Sequence, residues 1–127
     1  MDTKQKSARM NARLMAGALV VMGTLHFVRP KPFDELIPPE LPGQPRLWTY
    51  LSGVAELVTA CLLANPKTQK LGAKSAFALF LAVWPGNWQM ARDAKNASAL
   101  KKAIAYLRIP LQLPMFYQAR YVDKNTK

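Results

Sequence analysis

The sequence predicts an all-α protein: an integral-membrane four-helix bundle of up-down-up-down topology, with a proline-rich outer loop between its first and second helices. Three observations carry that expectation. Four apolar segments, 10–28, 46–64, 71–91 and 103–122, each have about the 20 residues that a helix needs to cross a bilayer core. Charge is scarce within them, since 14–28 holds no charged residue, 47–64 holds only Glu56 and 75–91 holds none. The basic residues, 18 Lys and Arg against 7 Asp and Glu, fall mostly between these runs and at the two ends.

A soluble four-helix bundle would instead show a polar face, with charges recurring every three or four residues. The net charge of +11 suits either nucleic acid or an anionic membrane surface. A nucleic-acid binder carries a basic stripe interleaved with aromatics. Basic flanks around apolar runs favour the membrane and speak against nucleic acid. The whole chain, 1–127, reads as a single domain.

In chain order, the first segment is MNARLMAGALVVMGTLHFV. Its basic start resembles a signal peptide, but its end, HFVRPKPF, lacks the small residues of a cleavage site, so it reads as a retained helix. Residues 29–45 contain six prolines, Pro30, Pro32, Pro38, Pro39, Pro42 and Pro45, which forbid a long helix and favour a stiff, folded-over loop. Phe33, Leu36, Ile37 and Leu41 are expected to pack that loop against the bundle or the lipid interface. The second segment, RLWTYLSGVAELVTACLLA, ends at the short turn NPKTQK, and the third is LGAKSAFALFLAVWPGNWQMA. There the Pro85-Gly86 pair is expected to loosen the helix. RDAKNASALKK (92–102) reads as a polar connection, and Pro110 and Pro114 are expected to bend the fourth segment around the bundle. Trp48, Tyr50, Trp84, Trp88, Tyr106, Tyr117 and Tyr121 sit mostly near helix ends, as interface anchors do.

Orientation follows the basic flanks. With the N-terminus inside, ten basic residues lie inside and eight outside, which favours both termini in the cytoplasm. The single cysteine, Cys61, excludes an internal disulfide, a CxxC pair and a cysteine zinc site, and it is expected to be a small buried residue.

The informative residue is Glu56. Counted in from Arg46 at 1.5 Å per residue, it lies about 15 Å down, near the midplane. A charge there costs about 2.5–3.5 kcal/mol even on lenient insertion scales, so Glu56 is expected to be neutral or paired with Arg108 or His26. Ser52 sits one turn above it on the same face. His26 closes the first helix, Asn87 follows Pro85-Gly86 in the third, and Arg108 and Gln112 are one turn apart in the fourth. All four helices thus place polar groups in the outer half, while VTACLLA and AFALFLA leave the inner half apolar.

These residues fall into motifs. Gly23, His26 and Phe27 form G-x-x-H-F; the loop reads P-x-x-F-x-x-x-I-P-P-x-L-P from Pro30 to Pro42; Tyr50, Ser52, Gly53 and Glu56 form Y-x-S-G-x-x-E. Later come P-x-N-x-x-M-A (Pro85, Asn87, Met90, Ala91) and R-x-P-L-Q (Arg108, Pro110, Leu111, Gln112). The chain as a whole resembles the DoxX-like small membrane proteins of the DoxX/MauE redox-associated group. That resemblance implies a four-helix protein of a bacterial-type inner membrane, linked to quinol oxidase, thiosulfate:quinone oxidoreductase or oxidative-stress systems. One His and one Cys supply no haem, iron–sulfur or other metal ligand set, so electron chemistry would need a bound cofactor or a partner subunit.

Two functions are expected from these features. The first is a redox-associated, quinone-linked subunit, with Glu56 and His26 transferring protons and Tyr50, Ser52, Asn87, Arg108 and Gln112 binding the ligand. The second is a non-catalytic assembly or scaffold protein, whose polar cluster only fixes helix packing and whose outer loop docks a partner. A small-solute transporter finds no broken-helix repeat to support it. The partners considered are the bilayer, a redox partner subunit and further copies of the chain.

Overall fold

The computed structural model describes residues 2–35, 37, 39–96 and 98–126. Within its helices the side chains of residues 83, 85–87, 89, 101, 104 and 111 lie outside that description, the expected site residue Asn87 among them, as does the loop residue Leu36. Among the described residues the chain is helical, without strands.

The first helix, α1 (Thr3–Val28), begins seven residues before the expected start at residue 10. Its start is fixed by a reciprocal cap. The Asp2 carboxylate accepts from the Gln5 backbone N–H at 2.7 Å, and the Gln5 side chain accepts from the Asp2 N–H at 3.4 Å. The proline-rich loop contains one helical turn, α2 (Lys31–Asp34). Helix α3 (Pro45–Ala64) opens on Pro45, where a missing N–H costs nothing.

The last two long helices are longer than the expected 71–91 and 103–122. Helix α4 (Gln69–Asp93) runs unbroken through Pro85-Gly86. The expected polar connection at 92–102 shrinks to a single 3₁₀ turn, Ala94–Asn96, and its flanks, before α5 (Ala99–Asn125). Helix α5 continues through both Pro110 and Pro114. Each interior proline removes a hydrogen bond and costs about 3 kcal/mol, which the packing of α5 on its neighbours has to offset.

The long helices form a ring: α1 packs on α3, α3 on α4, α4 on α5, and α5 returns to α1. Helices α3 and α5 therefore stand at opposite corners. One half of the ring is a dry core of Ala12, Met15, Ala16, Leu19, Ala60, Leu63, Ala73, Ala76, Phe80, Ala119 and Val122. The other half buries His26, Thr49, Glu56 and Gln112. The expected split into an apolar and a polar half holds only in part, because Thr59 and the fully buried Gln69 lie in the half nearest the chain ends.

Helices α1 and α3 approach through glycines. A Cβ on Gly53 would lie 2.7 Å from Cε2 of Phe27 and 2.9 Å from Cβ of His26. One on Gly23 would lie 2.9 Å from Cγ of Leu57 and 3.2 Å from the Gly53 carbonyl oxygen. The two backbones can close only because neither residue has a side chain.

The outward faces are apolar. On α3, Leu47, Leu51, Val54 and Val58 are all about half exposed, and on α1 Leu14, Val21 and Val28 are more so. Cys61 lies exposed, against the expectation of burial. It follows Val54 and Val58 at helical spacing, on the side opposite Gly53, Glu56, Ala60 and Leu63. Among the described residues two helices, α1 and α3, are long and apolar enough to cross a membrane.

Gly53→Val should lower stability by about 1–3 kcal/mol through overpacking, read as a drop in thermal midpoint in detergent. Gly17 has nothing within 4 Å of an added Cβ. Gly17→Ala should therefore be neutral or stabilising by up to about 1 kcal/mol, from helix propensity alone. Equal destabilisation by the two changes would contradict the close approach.

Candidate functional site: a buried histidine–carboxylate pair

His26 is on the last turn of α1 and Glu56 lies midway along α3; Gly53, one turn before Glu56, lets the helices close enough for the two side chains to meet. Nε2 of His26 is 3.5 Å from Oε1 of Glu56, with side chains only 7% and 9% exposed. The other ring nitrogen fixes the proton arrangement. Nδ1 lies 2.6 Å from the Met22 carbonyl oxygen, which only accepts, so Nδ1 carries a proton and donates it. Nε2 is left as the exchangeable position, facing the carboxyl.

A net charge is costly at this depth of burial, whereas a neutral pair is not. Two arrangements are neutral overall: a carboxyl donating to Nε2, or an imidazolium donating to a carboxylate. Both place one proton between the two groups. The second carboxyl oxygen, Oε2, is buried and has no hydrogen-bond partner. A buried acceptor or donor without a partner costs about 1–3 kcal/mol, so Oε2 is a natural point of attachment for a polar ligand or water.

The loop covers the pair. Phe33 of α2 stacks on the His26 ring at 3.8 Å between centroids and 18° between planes. Next to it, Asp34 is held by the start of α3: Thr49 Oγ1 donates to Oδ1 at 2.6 Å and Arg46 Nε donates to Oδ2 at 2.9 Å. Thr49 is 1% exposed. Trp48 Nε1 donates to the Pro42 carbonyl at 2.7 Å and ties down the far end of the loop. Of the loop residues expected to pack, Phe33 does so, Ile37 is half-buried and Leu41 is exposed.

Other expected site residues are dispersed. Ser52 is half-buried, one turn before Glu56. Tyr50 is not in the site: it is exposed, stacked on Phe27 at 5.2 Å, with the Arg46 guanidinium 5.7 Å from its ring centre. Six residues separate it from Glu56, about two-thirds of a turn out of phase. Arg108 is half-buried on α5, and among the described residues no ion pair joins it to Glu56. The opposite-corner placement of α3 and α5 explains this, and the partner of Glu56 is His26. Gln112 is buried and its Nε2 donates to the Phe80 carbonyl at 3.2 Å, joining α5 to α4.

One residue of interest has no expected role beyond anchoring. The Trp84 indole packs edge-on against Phe116 at 5.6 Å, and its Nε1–H is buried without a partner. Its burial depends on a residue of another helix, which aromatic placement near a helix end does not reveal. No group of three or more His, Cys, Asp or Glu that could hold a metal occurs among the described residues.

The fold and site define a class: an all-helical protein with a histidine–carboxylate pair enclosed between its first and third helices. The chain belongs to the DUF8561 family, a domain of unknown function, whose model matches residues 15–123 and so includes both members of the pair. No curated protein and no solved structure matches it.

The Asp34 latch is sensitive to acid. Burial alone would raise the Asp34 pKa, but the Thr49 and Arg46 hydrogen bonds and the Arg46 charge together hold it below its ordinary value. Its contribution is therefore complete above the ordinary aspartate range and is lost as pH falls through the lowered folded value. Proteolysis within 35–44 by an acid-tolerant protease should rise over that acid range. Asp34→Asn should be cut readily at neutral pH and show little further change; an uncut neutral variant would contradict the latch.

Proposed function

We propose that the protein is a small integral membrane protein of the DoxX-like kind: a redox-associated subunit whose polar half binds a quinone or similar carbonyl-bearing molecule. The observation that carries this reading is the Glu56 carboxyl, with Oε1 against His26 and Oε2 buried without a partner. The apolar outward faces of α1 and α3, and the length of both helices, support the membrane setting. All four long helices would then span, as a membrane four-helix bundle, in a bacterial-type inner membrane with both termini cytoplasmic.

The chemistry follows from the pair. A ligand carbonyl at Oε2 receives the carboxyl proton as the ligand is reduced by a donor in a partner subunit. That leaves a carboxylate beside a neutral imidazole whose Nδ1–H stays on the Met22 carbonyl, and a proton from outside the pair, entering at Nε2, restores it. The Trp84 N–H offers a hydrogen bond without a charge. An acid–base pair of this kind contributes rate when its geometry allows direct transfer.

A second reading, a non-catalytic scaffold, draws on the loop. Asp34, Arg46, Thr49 and Trp48 pin it at four hydrogen-bonding groups, which suits a rigid docking platform for a partner.

Mass spectrometry of small molecules co-purifying with the detergent-extracted protein separates the two. A quinone-like molecule should be retained by the wild type and lost from a still-folded Glu56→Gln variant. If neither retains anything, the ligand reading fails and the scaffold reading stands.

A further inference from the structure

At the end of the ring where α1 begins and α5 finishes, away from the His26–Glu56 pair, the two helices leave an open groove of about 420 Å³. Its lining is graded along the helix axes. Ser7, Asn11, Gln118 and Tyr121 lie toward the chain ends, and Pro114 and Met115 lie deeper. The distance from Tyr121 to Pro114 along α5 is about 10 Å at 1.5 Å per residue. Between them Tyr117 stands 71% exposed and stacks on Tyr121 at 6.4 Å.

The polar end is built across the helices. Gln118 Nε2 donates to Asn11 Oδ1 at 2.9 Å, and Asn11 Nδ2 donates to the Ser7 carbonyl at 2.9 Å. The chain ends also carry excess positive charge. Lys4 is three residues before Ser7 on α1 and Lys124 three residues after Tyr121 on α5, so each continues a groove-lining face, and both are exposed. Two acids are near. Asp2 is occupied in capping α1, and Asp123 is paired with Lys70 at 3.2 Å. Among the described residues no ion pair joins Lys4 or Lys124 to an acid, so both stand as cations beside a polar shelf, with the apolar Pro114 and Met115 further along α5.

We infer that this groove is a binding site for a phospholipid with an anionic headgroup. The headgroup lies on the Ser7–Asn11–Gln118–Tyr121 shelf between Lys4 and Lys124, and an acyl chain runs past Tyr117 to Pro114 and Met115. Basic pockets between helices at the cytoplasmic face select anionic lipids by charge. The gradient from polar to apolar along the groove matches the head-to-tail direction of a lipid in the same leaflet. The inference rests on the membrane reading above and on the orientation that places both termini inside.

Native mass spectrometry tests it on the full-length protein in detergent, titrated with phosphatidylglycerol or with phosphatidylcholine. One phosphatidylglycerol should bind about thirtyfold more tightly than phosphatidylcholine, the scale expected of two lysines near a headgroup. Lys4→Gln with Lys124→Gln should abolish that preference, and Tyr117→Ala, at an exposed position, should weaken both lipids while leaving the helical circular dichroism unchanged. Equal binding of the two lipids by the wild type would overturn the headgroup assignment. A dimer that disappears in Tyr117→Ala would overturn it too, by assigning the groove to a second copy of the chain. A wild type that stays soluble and monomeric without detergent would remove the membrane reading itself, whereas retention in vesicles without lipid selectivity removes only this site.

Discussion

Two residues without side chains set how closely α1 approaches α3. Gly23 and Gly53 let the backbones come within range of each other, and that contact is what brings a residue at the end of α1 against one in the middle of α3. With a larger residue at either position, His26 and Glu56 would each face an apolar interior alone. An uncompensated buried charge typically costs 3–5 kcal/mol when its partner is removed, so the glycine contact and the polar pair depend on one another. The Nδ1–Met22 hydrogen bond then settles which nitrogen faces Glu56. The loop completes the enclosure, because Phe33 lies flat on the imidazole and Asp34 anchors it to Arg46 and Thr49.

The division of the ring into two halves gives that pair its setting. Small and aliphatic side chains fill the half nearest the chain ends, where Leu63 and Val122 are fully buried. Close packing there fixes the helices rigidly. The opposite half keeps buried polar groups, and two of its atoms, Glu56 Oε2 and Trp84 Nε1, find no partner. Natural interiors leave few such groups unsatisfied. They are not confined to the polar half, since both side-chain polar atoms of the fully buried Gln69, at the start of α4, also lack a partner. What sets Glu56 Oε2 apart is that it belongs to a carboxyl paired with His26.

Much of this organisation is legible in the sequence, for reasons particular residues make plain. Glu56 is the one charge in a long apolar run, so its inward direction follows from cost alone. Its partner does not. His26 and Arg108 lie at similar depth, and choosing between them requires the order of helices around the ring, which helical periodicity does not encode. Periodicity sets Tyr50 apart, since it is out of phase with Glu56. The early start of α1 is encoded in the Asp2-x-x-Gln5 cap. Pro110 and Pro114 are expected inside a continuing fourth helix and do lie inside one, held there by packing against α1 and α4 although a local rule favours interruption. Trp84 and Cys61 escape for a related reason, since burial of the first depends on Phe116 and exposure of the second on which face α3 turns to its neighbours.

His26 is the only histidine in the chain, so nitrogen NMR of protein labelled at histidine with ¹⁵N reports on the central contact without ambiguity. The wild type should show a protonated, hydrogen-bonded Nδ1 and an Nε2 resonance displaced from that of a free imidazole. In Glu56→Gln, Nδ1 should be unchanged and Nε2 should move. An Nε2 signal identical in the two proteins, or a ring exchanging freely between tautomers, would contradict a proton held between His26 and Glu56.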